Sequence, residues 1–342
     1  MYLPTTFAVA LLLTIFSAVC WGSWGNSFKG TKNYPFELFY WDYILGVLLC
    51  ALLFAFTLGS SGTAGEPFLQ NLAQADRANA LSALAGGIIF NLANVLLVAA
   101  IDIAGLTIAF PLAIGIAVVE GVVLSYALQP KGNIALLGAG VLLAVVAVLF
   151  NARAYRALAQ SRGAKAAASA GAAGTGKEAP SVRLGVRISL ISGVLMGAFA
   201  PFITRAMTQG HALTPYSTIV LFSLGAVLCC FPFNLVLMRK QLRGAPVSFS
   251  GYWTAGARNH ALGVLGGMVW GLGGSLNFIA AGFVGVPISY AIGQSAPLIA
   301  AAWGVFVWRE FRGASAAAWQ ALGAMTLAYV AAVLMIALAY NN

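Results

Sequence analysis

Apolar residues run along this chain in blocks of about 17 to 24 residues, separated by short breaks rich in Gly, Pro, Asn or basic residues. A bilayer-spanning helix needs roughly 20 such residues. Ten spans are predicted, over 7–25, 39–58, 81–101, 104–127, 134–150, 184–207, 215–238, 260–281, 284–307 and 317–338. Connections as short as Ile103, between the third and fourth spans, or Phe283 to Val284, before the ninth, leave room only for tight hairpins. The pattern therefore predicts an all-α polytopic membrane protein, folded as a compact helical bundle.

Residues 151–183 break the pattern, with Ala, Gly, Ser and basic residues in place of the apolar run. They read as a flexible linker between two five-span halves, 1–150 and 184–342. Within the linker, Gly171 to Lys177 nearly spells a phosphate-binding loop. Glu178, however, stands where Ser or Thr should hold Mg²⁺, and no strand precedes it, so no ATP motor is expected. The halves resemble each other. A shift of 175 lays Ser17, Val19 and Gly22 over Ser192, Val194 and Gly197. A shift of 180 lays Gly86, Gly87, Leu92, Leu96, Ala100, Gly105 and Ile108 over Gly266, Gly267, Leu272, Leu276, Ala280, Gly285 and Ile288. Because five is odd, the second half enters the membrane from the opposite side, which gives a 5+5 inverted-topology repeat.

Composition narrows the class. Of 342 residues 61% are apolar and 8% charged, with a mean hydropathy of +0.91, against roughly 25% charged in a soluble domain. A soluble enzyme, a disordered chain and a disulfide-stapled module are excluded. So is a nucleic-acid binder, despite the net charge of +10. Fifteen of the eighteen basic residues fall in or beside the loops after spans 1, 3, 5, 7 and 9, leaving Arg77, Lys131 and Arg205 on the alternate side. The positive-inside rule then places both termini outside and the linker in the cytoplasm of an inner, cell-membrane protein. The basic excess is a topology signal and an attraction to anionic membrane lipids; it says nothing about cargo. With no basic segment ahead of it, the first span is expected to remain as a membrane helix. Cys20, Cys50, Cys229 and Cys230 all lie inside apolar spans and read as core packing.

An ionisable group inside a membrane costs roughly 2.5–3.5 kcal/mol on insertion scales, so each one asks for a reason. Glu120, deep in the fourth span, is a candidate proton carrier or a carboxylate facing an aqueous vestibule. Asp42, in FELFYWDYILG, is a second proton candidate, with helix-start stabilisation as the alternative. Asn91 and Asn94 can share one face of the third span. Ser275 and Asn277 follow a glycine run in the eighth, and Ser289, Tyr290, Gln294 and Ser295 lie in the ninth. Each alone could be an interhelical hydrogen bond, but their concentration beside Gly and Pro points to a shared polar pocket. Pro111, Pro201, Pro287 and Pro297 break helical hydrogen bonding there, which is tolerated only against protein or a water-filled cavity. Trp21, Trp24 and Trp270 could stack on a ring-shaped solute or anchor at the interface. No metal-ligand spacing is present, and there is neither a catalytic dyad beside a nucleophile nor a filter-like loop. The sequence thus points to neither an enzyme nor a channel and implies no cofactor or metal.

Several segments carry a family resemblance: the first span ending CWGSWGNSFKG, then FYWDY, the hairpin AGGIIFNLANVLLVAAIDIAGLTIAFPLAIGI, the hydrophilic centre, GAPVSFSGYW, and GQSAPLIAAAWGVFVWREFRG. With these the chain resembles the drug/metabolite transporter superfamily, and within it the ureide permeases and the glucose/ribose and rhamnose porters. The resemblance implies ten spans with a 5+5 inverted repeat and secondary active transport of small neutral polar solutes. These are allantoin, uracil and similar heterocycles in ureide permeases, and sugars in the porters, with proton coupling. Asp42 and Gln294 occupy matching motif positions. One departure is Phe110, near which plant ureide permeases carry a carboxylate; here Glu120 follows ten residues on.

The expected function is alternating-access, proton-coupled transport of a small neutral polar solute. Trp21, Asn91, Asn94, Trp270, Asn277, Tyr290 and Gln294 would bind it, and Glu120 or Asp42 would take the proton. Export of lipophilic or cationic compounds is one alternative, and a non-transporting sensor or scaffold that recruits a partner through the linker is another. A homodimer is compatible with the sequence.

Overall fold

The computed structural model describes residues 1–104, 106–169, 182–239 and 246–341. Gly105, the Gly171–Lys177 segment and the side chains of Phe110 and Pro111 lie outside the described residues. Every regular element among those described is helical. In chain order they are α1 (Phe7–Ser23), α2 (Gly25–Lys29), α3 (Phe36–Phe56), α4 (Phe68–Gln74), α5 (Arg77–Ala104), α6 (Leu106–Leu128) and α7 (Ile134–Ser169). Then follow α8 (Val182–Thr208), α9 (Pro215–Arg239), α10 (Ser250–Trp253), α11 (Ala257–Val284), α12 (Val286–Gly293), α13 (Ala296–Ala302) and α14 (Ala316–Asn341). A π-helical turn, Trp303–Val307, continues α13.

Nine helical stretches among the described residues are long and apolar enough to cross a membrane. They include Phe7–Lys29, which joins α1 to α2, and Val286–Val307, which joins α12, α13 and the π-turn. Within α6, Leu112–Leu128 is a shorter apolar helix in the place of the predicted fourth span. The stretch expected as a flexible linker, 151–183, begins as helix instead. Residues 151–169 continue the helix begun at Ile134, because NARAYRALAQ is rich in helix-favouring Ala, Arg and Leu and has no breaker before Gly163. Residues 170–181, the remainder of that stretch before α8, are outside the described residues.

Helices from the two halves of the sequence interleave. α3 packs on α11 and α9, α5 on α8 and α9, α6 on α8, α1 on α11 and α13, and α7 on α14. Glycines set the closest crossings. A Cβ on Gly267 would overlap the Tyr43 carbonyl, and one on Gly46 would overlap that of Val264, which fixes α3 against α11. Gly87 stands in the same relation to the Phe222 carbonyl and Gly225 to that of Leu84, which fixes α5 against α9. Such contacts replace the hydrophobic driving force that is missing between helices in lipid. Outward faces stay apolar and exposed, with Leu12, Leu53, Leu142, Phe231, Phe306 and Leu327 among them.

The loops gather at two ends. At one, which carries Lys29, Lys32, Arg258 and Arg309, Lys29 pairs with Glu310 at 2.6 Å and Asn259 exchanges hydrogen bonds with the Lys32 backbone. At the other, Glu66 meets His211 at 3.0 Å, and the Asn71 amide donates to Glu66 and to the Ala212 carbonyl. The His211 backbone N–H donates to Asp76, and Lys131 donates to the Phe283 carbonyl.

The Asn71 amide first, and then His211, hold the Glu66 carboxyl below its ordinary range. The folded chain therefore binds that proton more weakly than the unfolded chain, so this contribution to stability is present above the ordinary carboxylate range and is lost as the pH falls through the lowered value. Below about pH 4, amide exchange in 66–79 and 209–214 is expected to accelerate relative to the rest of the bundle. Glu66→Gln should flatten that dependence in a hydrogen-exchange series.

Candidate functional site

A cavity of about 320 Å³ lies between α1, α5, α6, α8, α9, α11 and the broken segment α12–α13. That is the lower end of the range for small-molecule pockets. Its walls are largely aromatic, with Trp21, Phe90, Phe199, Phe222, Trp270 and Phe278 among the lining residues. Trp21 and Trp270 stack at 5.7 Å between ring centroids, Phe222 lies nearly parallel to Trp270 at 6.2 Å, and the Trp21 indole N–H donates to the Trp270 carbonyl. The polar side chains in the lining are those of Asn94, Asn277, Ser289, Tyr290 and Gln294, with no Asp, Glu, Lys or Arg. A full charge entering such a cavity would lose its hydration without finding a counter-charge, so the cavity favours an uncharged solute.

Backbone breaks place the polar groups. α12 ends at Gly293 and α13 begins at Ala296, so Gln294 and Ser295 sit in the interruption. Pro297 has no N–H to return to the Gly293 carbonyl four residues back. The half-buried Gln294 side chain makes no hydrogen bond among the described residues and keeps a full amide for a ligand. Asn277 donates to the Ser289 carbonyl at 3.0 Å, which ties α11 to α12 and orients its amide at the cavity wall.

The other predicted binding residues divide. Asn94 lines the cavity and donates to the Tyr40 hydroxyl at 3.1 Å; that hydroxyl donates in turn to Asn91 Oδ1 at 2.7 Å. Asn91 is fully buried and lies outside the lining. It shares a face with Asn94, as its spacing predicts, and the group it meets there is a phenol of α3. Tyr290 presents its ring to the cavity, while its hydroxyl donates to the Ala117 and Met196 carbonyls. Ser295 turns back, its hydroxyl donating to the Ile292 carbonyl.

Neither proton candidate lines the cavity. Glu120 packs on α8, where Gly197 has the space to admit its carboxyl. Asp42 is buried at the basic end of the bundle, 3% exposed, and accepts from the Tyr34 and Tyr252 hydroxyls while contacting His260. His260, Tyr34, Tyr252 and Tyr40 were not singled out by sequence reasoning. The available signal was that the chain has only two histidines, each of which meets a carboxylate more than a hundred residues away. All four cysteines are buried and free, and among the described residues no three His, Cys, Asp or Glu side chains converge as a metal site would need.

The ureide permease family model matches residues 39–182 and 176–339. Ureide permease 4 of Arabidopsis thaliana is 25% identical over 97% of this chain and 97% of its own length. Ureide permease 1 of the same plant is 25% identical, with 86% and 87% covered. A solved crystal structure superposes with a TM-score of 0.62 at 14% identity, over 96% of this chain and 97% of its own, and so shares the fold.

Proposed function

The chain belongs to the ureide permease family and is a membrane-embedded transporter rather than an enzyme, and from that premise we propose that it carries a flat, neutral, ureide-like heterocycle through the cavity by alternating access, coupled to protons. The observation that carries the substrate reading is the lining: aromatic walls, no charge, and an unpartnered amide at Gln294. Rings with amide edges suit this set better than a sugar, whose many hydroxyls would ask for more polar partners than Asn94, Asn277, Ser289 and Gln294. A cationic cargo, the exporter alternative, would find no carboxylate in the lining.

Alternating access rests on the repeat. Under the shifts of 175 and 180, Trp21 corresponds to Met196, Trp24 to Phe199, Phe90 to Trp270, Leu97 to Asn277 and Ile114 to Gln294, and both members of every pair line the cavity. The glycine crossings are paired in a closely similar way: Gly87 meets Phe222 and Gly267 meets Tyr43, with the two glycines 180 residues apart and their partners 179. These pairs support ten spans, with α6 as the fourth, in two inverted five-helix halves with the solute between them. In the corresponding pairs Leu97/Asn277 and Ile114/Gln294 the second half supplies the polar member, and in Asn94/Gly274 the first half does, so both halves would orient the solute and both supply aromatic surface. On the positive-inside rule, the basic loops favour a cytoplasmic position for their end of the bundle, with the protein in the cell membrane.

The test is uptake of labelled allantoin or uracil into proteoliposomes under an imposed pH gradient. Concentrative uptake is expected in the wild type, and its loss with retained downhill exchange in Glu120→Gln or Asp42→Asn. Concentrative uptake that survives both substitutions would remove the proton roles, and no uptake of either solute would reject the substrate class.

A further inference from the structure

Each histidine of the chain meets a carboxylate of the other half, one pair at each end of the bundle. The His211–Glu66 pair is exposed, with side chains 41% and 32% accessible, so water can replace either partner. The pair at the basic end is different. His260, in the first turn of α11, places Nδ1 3.0 Å from Asp42 Oδ2, and its Nε2 lies 3.1 Å from the Tyr252 carbonyl oxygen. The titratable groups facing the imidazole are Asp42 from α3, Tyr34 from the segment before α3, and Tyr252 from α10. Both phenols donate to the carboxylate, Tyr34 to Oδ2 at 2.8 Å and Tyr252 to Oδ1 at 2.7 Å.

A carboxylate and a carbonyl oxygen accept only, so both imidazole nitrogens must carry hydrogen for both contacts to be hydrogen bonds. A protonated Asp42 donating to Nδ1 would place the same single proton on the other side of the same contact. Without that proton, either the Nδ1 lone pair faces the carboxylate or, in the other tautomer, the Nε2 lone pair faces the Tyr252 carbonyl. Either arrangement leaves acceptor against acceptor at a site where Asp42 is buried and His260 half-buried. The Tyr34 hydroxyl also lies 3.4 Å from Nδ1, but its one hydrogen goes to the shorter contact with Asp42 at 2.8 Å, so the phenols do not supply the missing hydrogen. Burial and then the Asp42 carboxylate push Tyr252 up to about 12, and they raise Tyr34 as well, so both remain donors to Asp42 around neutrality.

We infer that Asp42, His260, Tyr34 and Tyr252 form a one-proton site that clasps the two halves of the transporter at the basic end and lets them part when the proton leaves. Only its use in a transport cycle rests on the coupled-transport reading: opening at that end would then require release of a proton. The clasp itself is a property of the protein without solute.

The experiment uses the full chain in nanodiscs, with no solute and with ¹⁵N-labelled histidine, where only two imidazoles report and His211→Gln leaves His260 alone. At about pH 6 His260 should show two N–H groups and then lose one proton as the pH rises. Over that interval amide protection in 36–42 and 257–263, corrected for intrinsic exchange, should fall about tenfold or more. The double variant Asp42→Asn/His260→Gln should lose this pH dependence. Protection that stays constant while His260 loses its proton would overturn the clasp, and the wild type alone decides this if the double variant does not fold. A His260 with one N–H at about pH 6, or with two up to about pH 9, would overturn the proton site. A clasp that behaves as expected in a protein without gradient-driven uptake would reject coupling alone, and coupled uptake with an inert clasp would reject the clasp alone.

Discussion

Gly267→Ala is expected to destabilise the bundle by about 3 kcal/mol, near the upper end for overpacking, because the added methyl meets backbone rather than a side chain that can turn aside. Its Cβ would overlap the Tyr43 carbonyl and come within 2.9 Å of Gly46 Cα, so relief requires α3 and α11 to separate along their whole crossing. Gly87→Ala does the same to α5 and α9 through the Phe222 carbonyl. The two variants should therefore lose stability to a similar extent, measured as thermal unfolding in detergent. Gly138 in α7 and Gly323 in α14 have nothing within 4 Å of the added carbon. Alanine there should be neutral or stabilising, by up to about 1 kcal/mol, since it improves helix propensity at no steric cost. If Gly267→Ala unfolds like Gly138→Ala, the close crossing is not what holds these helices. Unequal losses at Gly87 and Gly267 would weaken the inverted repeat.

These glycines were legible in the sequence as paired motifs, GG at 86–87 and 266–267, since small residues are what close helix approach in lipid requires. The break in the ninth span was legible for a related reason: Pro297 and the polar GQS cannot continue an apolar helix unaided, and the interruption falls there, at Gln294 and Ser295. What hydropathy could not show is which polar group is committed to which partner. Asn91 and Asn94 look alike in FNLANVL, yet Tyr40 from another helix turns Asn91 into a buried support and leaves Asn94 at the wall. Tyr290 reads as a ligand until its hydroxyl is found between the Ala117 and Met196 carbonyls. For Asp42 the sequence leaves a proton carrier and a helix-start acid both open, because its partner His260 lies 218 residues on and only the packing of α3 on α11 joins them. The end of α7 was misplaced because hydropathy falls after Phe150 while helix propensity does not.

Gln294→Leu is expected to lower uptake of a ureide-like solute by about a hundredfold, the cost of leaving one buried amide of the solute without a partner. The substitution keeps side-chain bulk in the gap between α12 and α13 and breaks no protein hydrogen bond among the described residues, so thermal stability should stay near wild type. Loss of transport without loss of fold separates a ligand contact from a structural one. Tyr290→Phe supplies the contrast. It removes a hydroxyl that joins α12 to α6 and α8 and leaves the ring at the cavity, so it should cost stability, by about 1–2 kcal/mol, more than selectivity. Gln294→Asn keeps the amide but shortens its reach, and it should recover part of the uptake by lowering KM relative to the leucine variant. Uptake by Gln294→Leu within about twofold of wild type, well inside the tenfold that 1.4 kcal/mol represents, would mean that solute recognition lies elsewhere in the wall. Asn277, held at the cavity edge by the Ser289 carbonyl, would then be the next position to substitute.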